Sequence, residues 1–133
     1  MPHTALTQNT STATLEEWAK LDLNVPNSQV LRVTRIQQDD NNRPVAFEEA
    51  VLALERFPGL VPNGRDVPDI IELAQRHGLS LGRATERLSI VPATKDVASH
   101  LQVGTGTDVL KLNRIVETVD GEPVEWRVGF RKI

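Results

Sequence analysis

The chain has no cysteine and no tyrosine, and only one methionine, two tryptophans and three phenylalanines in 133 residues. Without cysteine there can be no disulfide framework, no thiolate zinc site and no thiol nucleophile, which fits a reducing cytoplasm. No run of 18 apolar residues occurs, so no membrane-spanning helix is expected. Met1-Pro2-His3-Thr4 lacks the basic region and apolar stretch of a secretory signal. A basic excess is missing too: 15 Lys and Arg face 18 Asp and Glu, for a net charge of −3. Proteins that grip nucleic acid neutralise phosphates with a basic field, so this chain alone is a poor DNA-binding candidate. His77 and His100 fall on predicted helices and read as helix-end or exposed groups rather than catalytic ones. No metal and no cofactor are expected.

What is present is ordinary globular composition, 39% hydrophobic and 25% charged, enough for a single domain over residues 1–133. Residues 1–5 are expected to fray, and the polar stretch Thr7–Thr12 reads as frayed chain or a poor edge strand.

The chain repeats itself. Val30–Ile36 reads VLRVTRI and, 79 residues later, Val109–Ile115 reads VLKLNRI; eight residues after each final Ile comes a Pro-Val pair, Pro44-Val45 and Pro123-Val124. Upstream, Ala13-Thr14 with Leu21 and Leu23 parallels Ala93-Thr94 with Leu101 and Val103. Each half therefore reads as helix, strand, turn, strand. Thr14 with Glu17 forms a capping-box pattern for the first helix, with Leu15, Trp18 and Ala19 on one face. Trp18 and Trp126 both read as core. Tight two-residue turns are expected at Asn41-Asn42 and Asp120-Gly121. Pro44 and Pro123 open the return strands, where no ladder donor is needed. Phe57-Pro58-Gly59-Leu60 and Pro62-Asn63-Gly64 punctuate the join between halves. A middle helix is predicted after Asp66, with Asp69 in its first turn, Ile70, Leu73, Ala74 and His77 stacked, and Gly78 as its stop. A strand over Thr85–Val91 and a helix opened by Pro92-Ala93-Thr94 follow, with Val97, Ala98 and Leu101 inward. Gly104-Thr105-Gly106 follows a helix and precedes a strand, the reverse of a phosphate loop. Three helices and about six mostly antiparallel strands make an α+β domain.

Strand parity then assigns faces. Leu31 and Val33 share a side with Arg35 and Gln37, as Leu110 and Leu112 do with Arg114 and Val116. With the expected turns, Arg35 lies opposite Glu48, Arg114 opposite Arg127, and Glu125 opposite Val116. Like charges directly across a strand pair destabilise it. Something negative should therefore sit near Arg114 and Arg127: Glu125, Glu117, a dimer partner or an anionic ligand. Arg83, Glu86 and Arg87 near the middle strand, and Arg131 near the end, read as exposed charge.

A strand ending in Arg-Ile, then a turn, Pro-Val and a carboxylate, given twice around a middle helix, resembles the UTRA domain. This is the effector-binding domain of the HutC-type GntR transcription regulators, and it shares its fold with chorismate lyase. The resemblance runs from about Leu6 to Arg131 and is strongest over Val30–Glu48, Phe57–Leu60 and Val109–Glu125. It implies a domain that binds a small metabolite between its halves and forms a homodimer. It also implies contact with DNA only through an N-terminal winged helix-turn-helix, which this chain is expected to lack. The family's ligand-facing arginine corresponds to Arg35, its glutamates to Glu48 and Glu125, and Arg83 lies near a segment that adds contacts. Together with Arg114 and Arg127 from the parity argument, these six residues are the expected ligand-binding set. The second arginine of phosphosugar-binding members is Gln37 here, and the tyrosines of their last strand are missing, with Phe130 and Arg131 in that neighbourhood. An amino acid or other small carboxylate is therefore as good a candidate as a sugar phosphate. The leading expectation is a cytoplasmic, non-enzymatic sensor domain. A chorismate lyase-like enzyme and a dimerisation module without a ligand are the alternatives.

Overall fold

The two predicted hairpins form and are joined side by side. A computed structural model describes residues 3–60 and 69–133. In chain order it has β1 (His3–Thr12), α1 (Leu15–Lys20), β2 (Gln29–Gln38), β3 (Pro44–Ala53), a single 3-10 turn (Leu54–Arg56), α2 (Ile70–Arg76), β4 (Leu81–Pro92), α3 (Lys95–Leu101), β5 (Asp108–Thr118) and β6 (Pro123–Lys132). All strands lie in one antiparallel sheet of order β1-β2-β3-β6-β5-β4. The β2–β3 and β5–β6 hairpins meet through β3 and β6, so the seam between the halves runs down the centre of the sheet. β1 is an edge strand beginning at His3, within the stretch read as frayed. The turn expected at Pro62-Asn63-Gly64 and the helix start after Asp66 lie outside the described residues. Asp69 proves to be the N-cap of α2 rather than part of its first turn: its carboxylate accepts the Glu72 N–H at 2.9 Å. Gly78, with φ +67°, follows the C-cap as expected.

Neither hairpin has a two-residue turn. Asp39 and Arg43 close the first loop, where the Asp39 N–H donates to Arg43 O at 2.9 Å, and the Thr118 N–H donates to Glu122 O at 2.9 Å in the second. Asn42 (φ 59°) and Gly121 (φ 82°) take the left-handed position that ends a three-residue loop. A bulge follows in each hairpin, between Gln37 and Gln38 and between Val116 and Glu117. The longer loop and the bulge compensate each other. Arg35 therefore still faces Glu48, and Arg114 still faces Arg127.

The sheet is covered on both sides. On one face Leu31, Val33, Leu52 and Val116 pack with Phe57 and with Ile70 and Leu73 of α2. On the other, Val30, Val51 and Trp126 pack against Leu21 and Leu23, and Phe47 and Val109 pack against Val97, Ala98 and Leu101 of α3. The expected inward face of α1 is overturned, and so is the core placement of Trp18: Leu15 is 90% exposed and Trp18 40%. A helix of only six residues presents little more than one side chain to the sheet. Here that side chain is Glu17, the buried residue of α1. Leu21 and Leu23, just past the helix, supply the apolar contact in its place.

Candidate functional site

The face that carries α2 is apolar at one end and charged across the seam. Register aligns three cross-strand rows there: Leu31–Leu52–Glu125–Val116, then Val33–Ala50–Arg127–Arg114–Glu86, then Arg35–Glu48–Gly129–Leu112–Leu88. The first row lies at the core under α2. Beyond it, five of the six expected residues converge, Arg35 and Glu48 from the first half and Arg114, Glu125 and Arg127 from the second.

Glu125 resolves the like-charge opposition. It is 2% exposed, and its two oxygens accept from Arg114 Nη2 and Arg127 Nη2, each at 3.0 Å. Of the carboxylates that were open, Glu125 is the one placed between the two arginines. Glu117 is not, because it pairs with Arg83. Arg127 Nη1 also donates to Glu48 Oε1 at 3.1 Å, and Arg35 Nη1 approaches the same oxygen at 3.9 Å. Glu86, half-exposed on β4, lies 3.8 Å from Arg114 Nη1. Glu125 and Glu48 are thus the inner carboxylates of the cluster, and the exposed Glu86 adds only weakly to their charge. The buried Nε atoms of Arg114 and Arg127 have no acceptor among the described residues. Buried polar groups are nearly always satisfied, so two such N–H groups in one cluster are a pointed exception.

Beside this cluster the sheet opens into a recess of about 200 Å³ lined by Glu48, Leu88, Leu110, Leu112, Gly129 and Arg131. Gly129 makes the room: a Cβ there would meet the Glu48 Cβ at 3.6 Å and the Phe47 carbonyl oxygen at 3.9 Å, both ordinary contacts. Gln37 stands at the rim, where its Oε1 accepts from Arg131 Nη1 at 3.4 Å.

Arg83 does not join the others. It pairs in register with Glu117, bonds to it at 2.9 Å with a 72% exposed side chain, and by parity faces away from Ala84 and Glu86. Glu86 and Gly129 are the members that parity on the hairpins alone did not find. A glycine inside a strand does signal a close approach or an opening. The β4 register could not be read without a hairpin turn to anchor it. No three His, Asp or Glu side chains gather in metal-binding geometry among the described residues. The chemistry on offer is guanidinium and carboxylate recognition beside an apolar shelf.

The sequence matches the profile of the UTRA domain over residues 2–130. Among solved structures, 98% of the chain superimposes on a ligand-binding domain from Bordetella bronchiseptica, described as part of a GntR-family transcriptional regulator. The match has TM-score 0.84 and 25% identity, and covers 84% of that chain. A GntR-family regulator from Enterococcus faecalis (TM-score 0.83, 20% identity) matches 98% of this chain over 92% of its own. The effector domain of PhnF from Mycobacterium smegmatis (TM-score 0.83, 20% identity) does so over 79%. The chain spans 57% of the regulator YydK from Bacillus subtilis. With its sheet order, its repeated hairpins and a profile match over nearly its whole length, the chain belongs to the UTRA domain family.

Proposed function

We propose that this domain senses a small anionic metabolite for a HutC-type GntR regulator, and that the cluster of Arg35, Glu48, Arg114, Glu125 and Arg127 reads the ligand. The observation that carries this is the pair of buried Arg114 and Arg127 Nε–H groups without an acceptor among the described residues, beside an apolar recess. A carboxylate or phosphate supplies the acceptors, since guanidinium forks match planar anions. Glu48 and Gln37 offer acceptors for ligand hydroxyl or amine groups. The recess is small, which favours an amino acid or short carboxylate over a sugar phosphate. The arginines are engaged in ion pairs with Glu48 and Glu125, an arrangement suited to binding rather than turnover. Ligand binding then shifts a pre-existing conformational equilibrium, and the DNA-reading parts of the full regulator respond to that shift. The working form is a cytoplasmic homodimer.

The test is thermal shift and calorimetry against amino acids, mono- and dicarboxylates and sugar phosphates. A true effector at a hundredfold excess over its Kd should stabilise the domain by about 2.7 kcal/mol. The gain should vanish in Arg114→Gln and Arg127→Gln. If no compound stabilises the protein, or if both variants respond like the parent, the assignment fails.

A further inference from the structure

The opposite face of the sheet holds a second opening. The segment after α1 covers one end of the strands over Val51 and Trp126, and α3 covers the other over Phe47 and Val109. Between them one cross-strand row, Thr34–Glu49–Val128–Asn113–Arg87, crosses the sheet. A groove of about 750 Å³ opens there, with Glu49, Lys111, Asn113, Trp126, Val128 and Phe130 in its lining. Toward β4 lies a smaller recess of about 270 Å³ that shares Lys20 and Asn113 with it and is lined by Arg87. The groove's volume lies within the usual range of small-molecule sites.

The repeat shows what is unusual about this groove. Arg32 and Lys111 occupy equivalent positions in VLRVTRI and VLKLNRI. Arg32 Nε donates at 2.8 Å to Glu17, the third residue of α1. The third residue of α3 is Val97, so the second copy keeps its cation and lacks the carboxylate. Lys111 makes no ion pair among the described residues; its ammonium stands 5.9 Å from the Phe130 ring centre. Next to it, Asn113 Oδ1 accepts the Trp126 indole N–H at 2.9 Å. That bond fixes which end of the amide faces the indole, and the amide NH₂ has no acceptor among the described residues. Glu49, on the far side of Val128, is likewise without an ion pair among the described residues. Asn113 and Glu49 are separated by two strand spacings, about 10 Å. Lys111 and Glu49, neither of them in an ion pair among the described residues, thus face one groove with the apolar Val128 between their strands, and Arg32, already paired to Glu17, is the nearest positive charge to Glu49.

We propose that this groove is a second small-molecule site for a zwitterion of the ω-amino carboxylate class. The carboxylate accepts from Lys111 and Asn113, the ammonium donates to Glu49, and the methylene chain lies across Val128. Charge-assisted hydrogen bonds at both ends confer specificity, because a ligand lacking either charge leaves one groove residue desolvated and unmatched.

The experiment is a ¹H–¹⁵N NMR titration of the whole chain with 4-aminobutyrate, 5-aminopentanoate and 6-aminohexanoate, with n-hexanoate and n-hexylamine as single-charge controls. The expected result is a saturable shift of the Trp126 indole and Asn113 side-chain amide signals with at least one zwitterion. Binding should weaken at least tenfold with either control and in Lys111→Gln and Glu49→Gln. The proposal is overturned if no zwitterion gives a saturable shift, if a control binds as well, or if the two variants bind like the parent. Arg127→Gln, on the other face, should leave this titration unchanged. The two sites therefore stand or fall separately.

Discussion

At the scale of single residues, Glu125 holds the charged cluster together. Its carboxylate is buried between two guanidiniums that would otherwise oppose each other across the β5–β6 pair. Removing one partner of a buried ion pair costs more than the pair contributes, because the remaining charge is stranded. Glu125→Ala should therefore destabilise the domain by about 3–5 kcal/mol in chemical denaturation. Replacing Glu125, Arg114 and Arg127 together by apolar residues of similar size should recover most of that loss. A triple variant as unstable as the single one would show that packing, and not charge, sets the cost. Gly129 sits at the other extreme. Gly129→Val should keep its Tm within a few degrees, since a Cβ there meets only ordinary contact. It should nonetheless abolish effector stabilisation by filling the recess; an unimpaired thermal-shift response would place the ligand elsewhere. Gly82 has no such freedom, because a Cβ would come within 2.7 Å of the Val119 Cα.

At the scale of elements, the first helix depends on one carboxylate with two duties. Glu17 accepts the Thr14 backbone N–H at 2.9 Å in the capping box, and it also pairs with Arg32 through both Nε and Nη2. Burial pushes its carboxyl upward. The Arg32 and Thr14 hydrogen bonds outweigh that, so the group titrates below the ordinary glutamate range. A folded pKa below the unfolded one adds stability at pH values above the unfolded pKa, and that stability is lost as pH falls through the folded pKa. Wild-type stability should accordingly fall between about pH 5 and pH 3 more steeply than that of Glu17→Gln, followed by urea denaturation across that range. Equal slopes would mean that Glu17 gains nothing from folding. The same carboxylate explains why helical periodicity misread α1. Leu15 and Trp18 satisfy an amphipathic pattern, but so short a helix is anchored by its cap and its ion pair rather than by an apolar stripe.

At the scale of the whole molecule, β4 is the exposed margin. It is a twelve-residue edge strand with Leu88 63% and Ile90 64% exposed. Long apolar edge strands invite pairing with another chain unless charge or a covering element protects them. We expect a homodimer that buries this strand, with Leu88 bringing the recess close to the interface. Sedimentation should find a dimer for the parent chain and a monomer for Leu88→Glu combined with Ile90→Glu. A parent that sediments as a monomer, or a variant that remains a dimer, would move the interface elsewhere. The alternative enzymatic reading has its own measurement at this scale. Incubation with chorismate should release no pyruvate.

Much of this molecule was legible before any coordinates. The duplicated VLxxxRI segments and their Pro-Val returns specify two hairpins, because apolar alternation and a turn at fixed spacing leave a strand few other partners. Parity then placed Arg35 with Glu48 on one face of the first hairpin, and Arg114, Glu125 and Arg127 on one face of the second. It survived the wrong turn type because a three-residue loop and its bulge together preserve the register. Other features depended on contacts between elements distant in the chain. The joining of the hairpins through β3 and β6 brings Glu48 to Arg127 at the seam. The register of β4 takes Arg83 to the far face and brings in Glu86. The gap between the segments covering the far face leaves Lys111 and Glu49 in an open groove. Local sequence fixes torsions and alternation, which act over a few residues. Whether a charge ends up paired, buried or facing a cavity depends on which distant strand lies beside it.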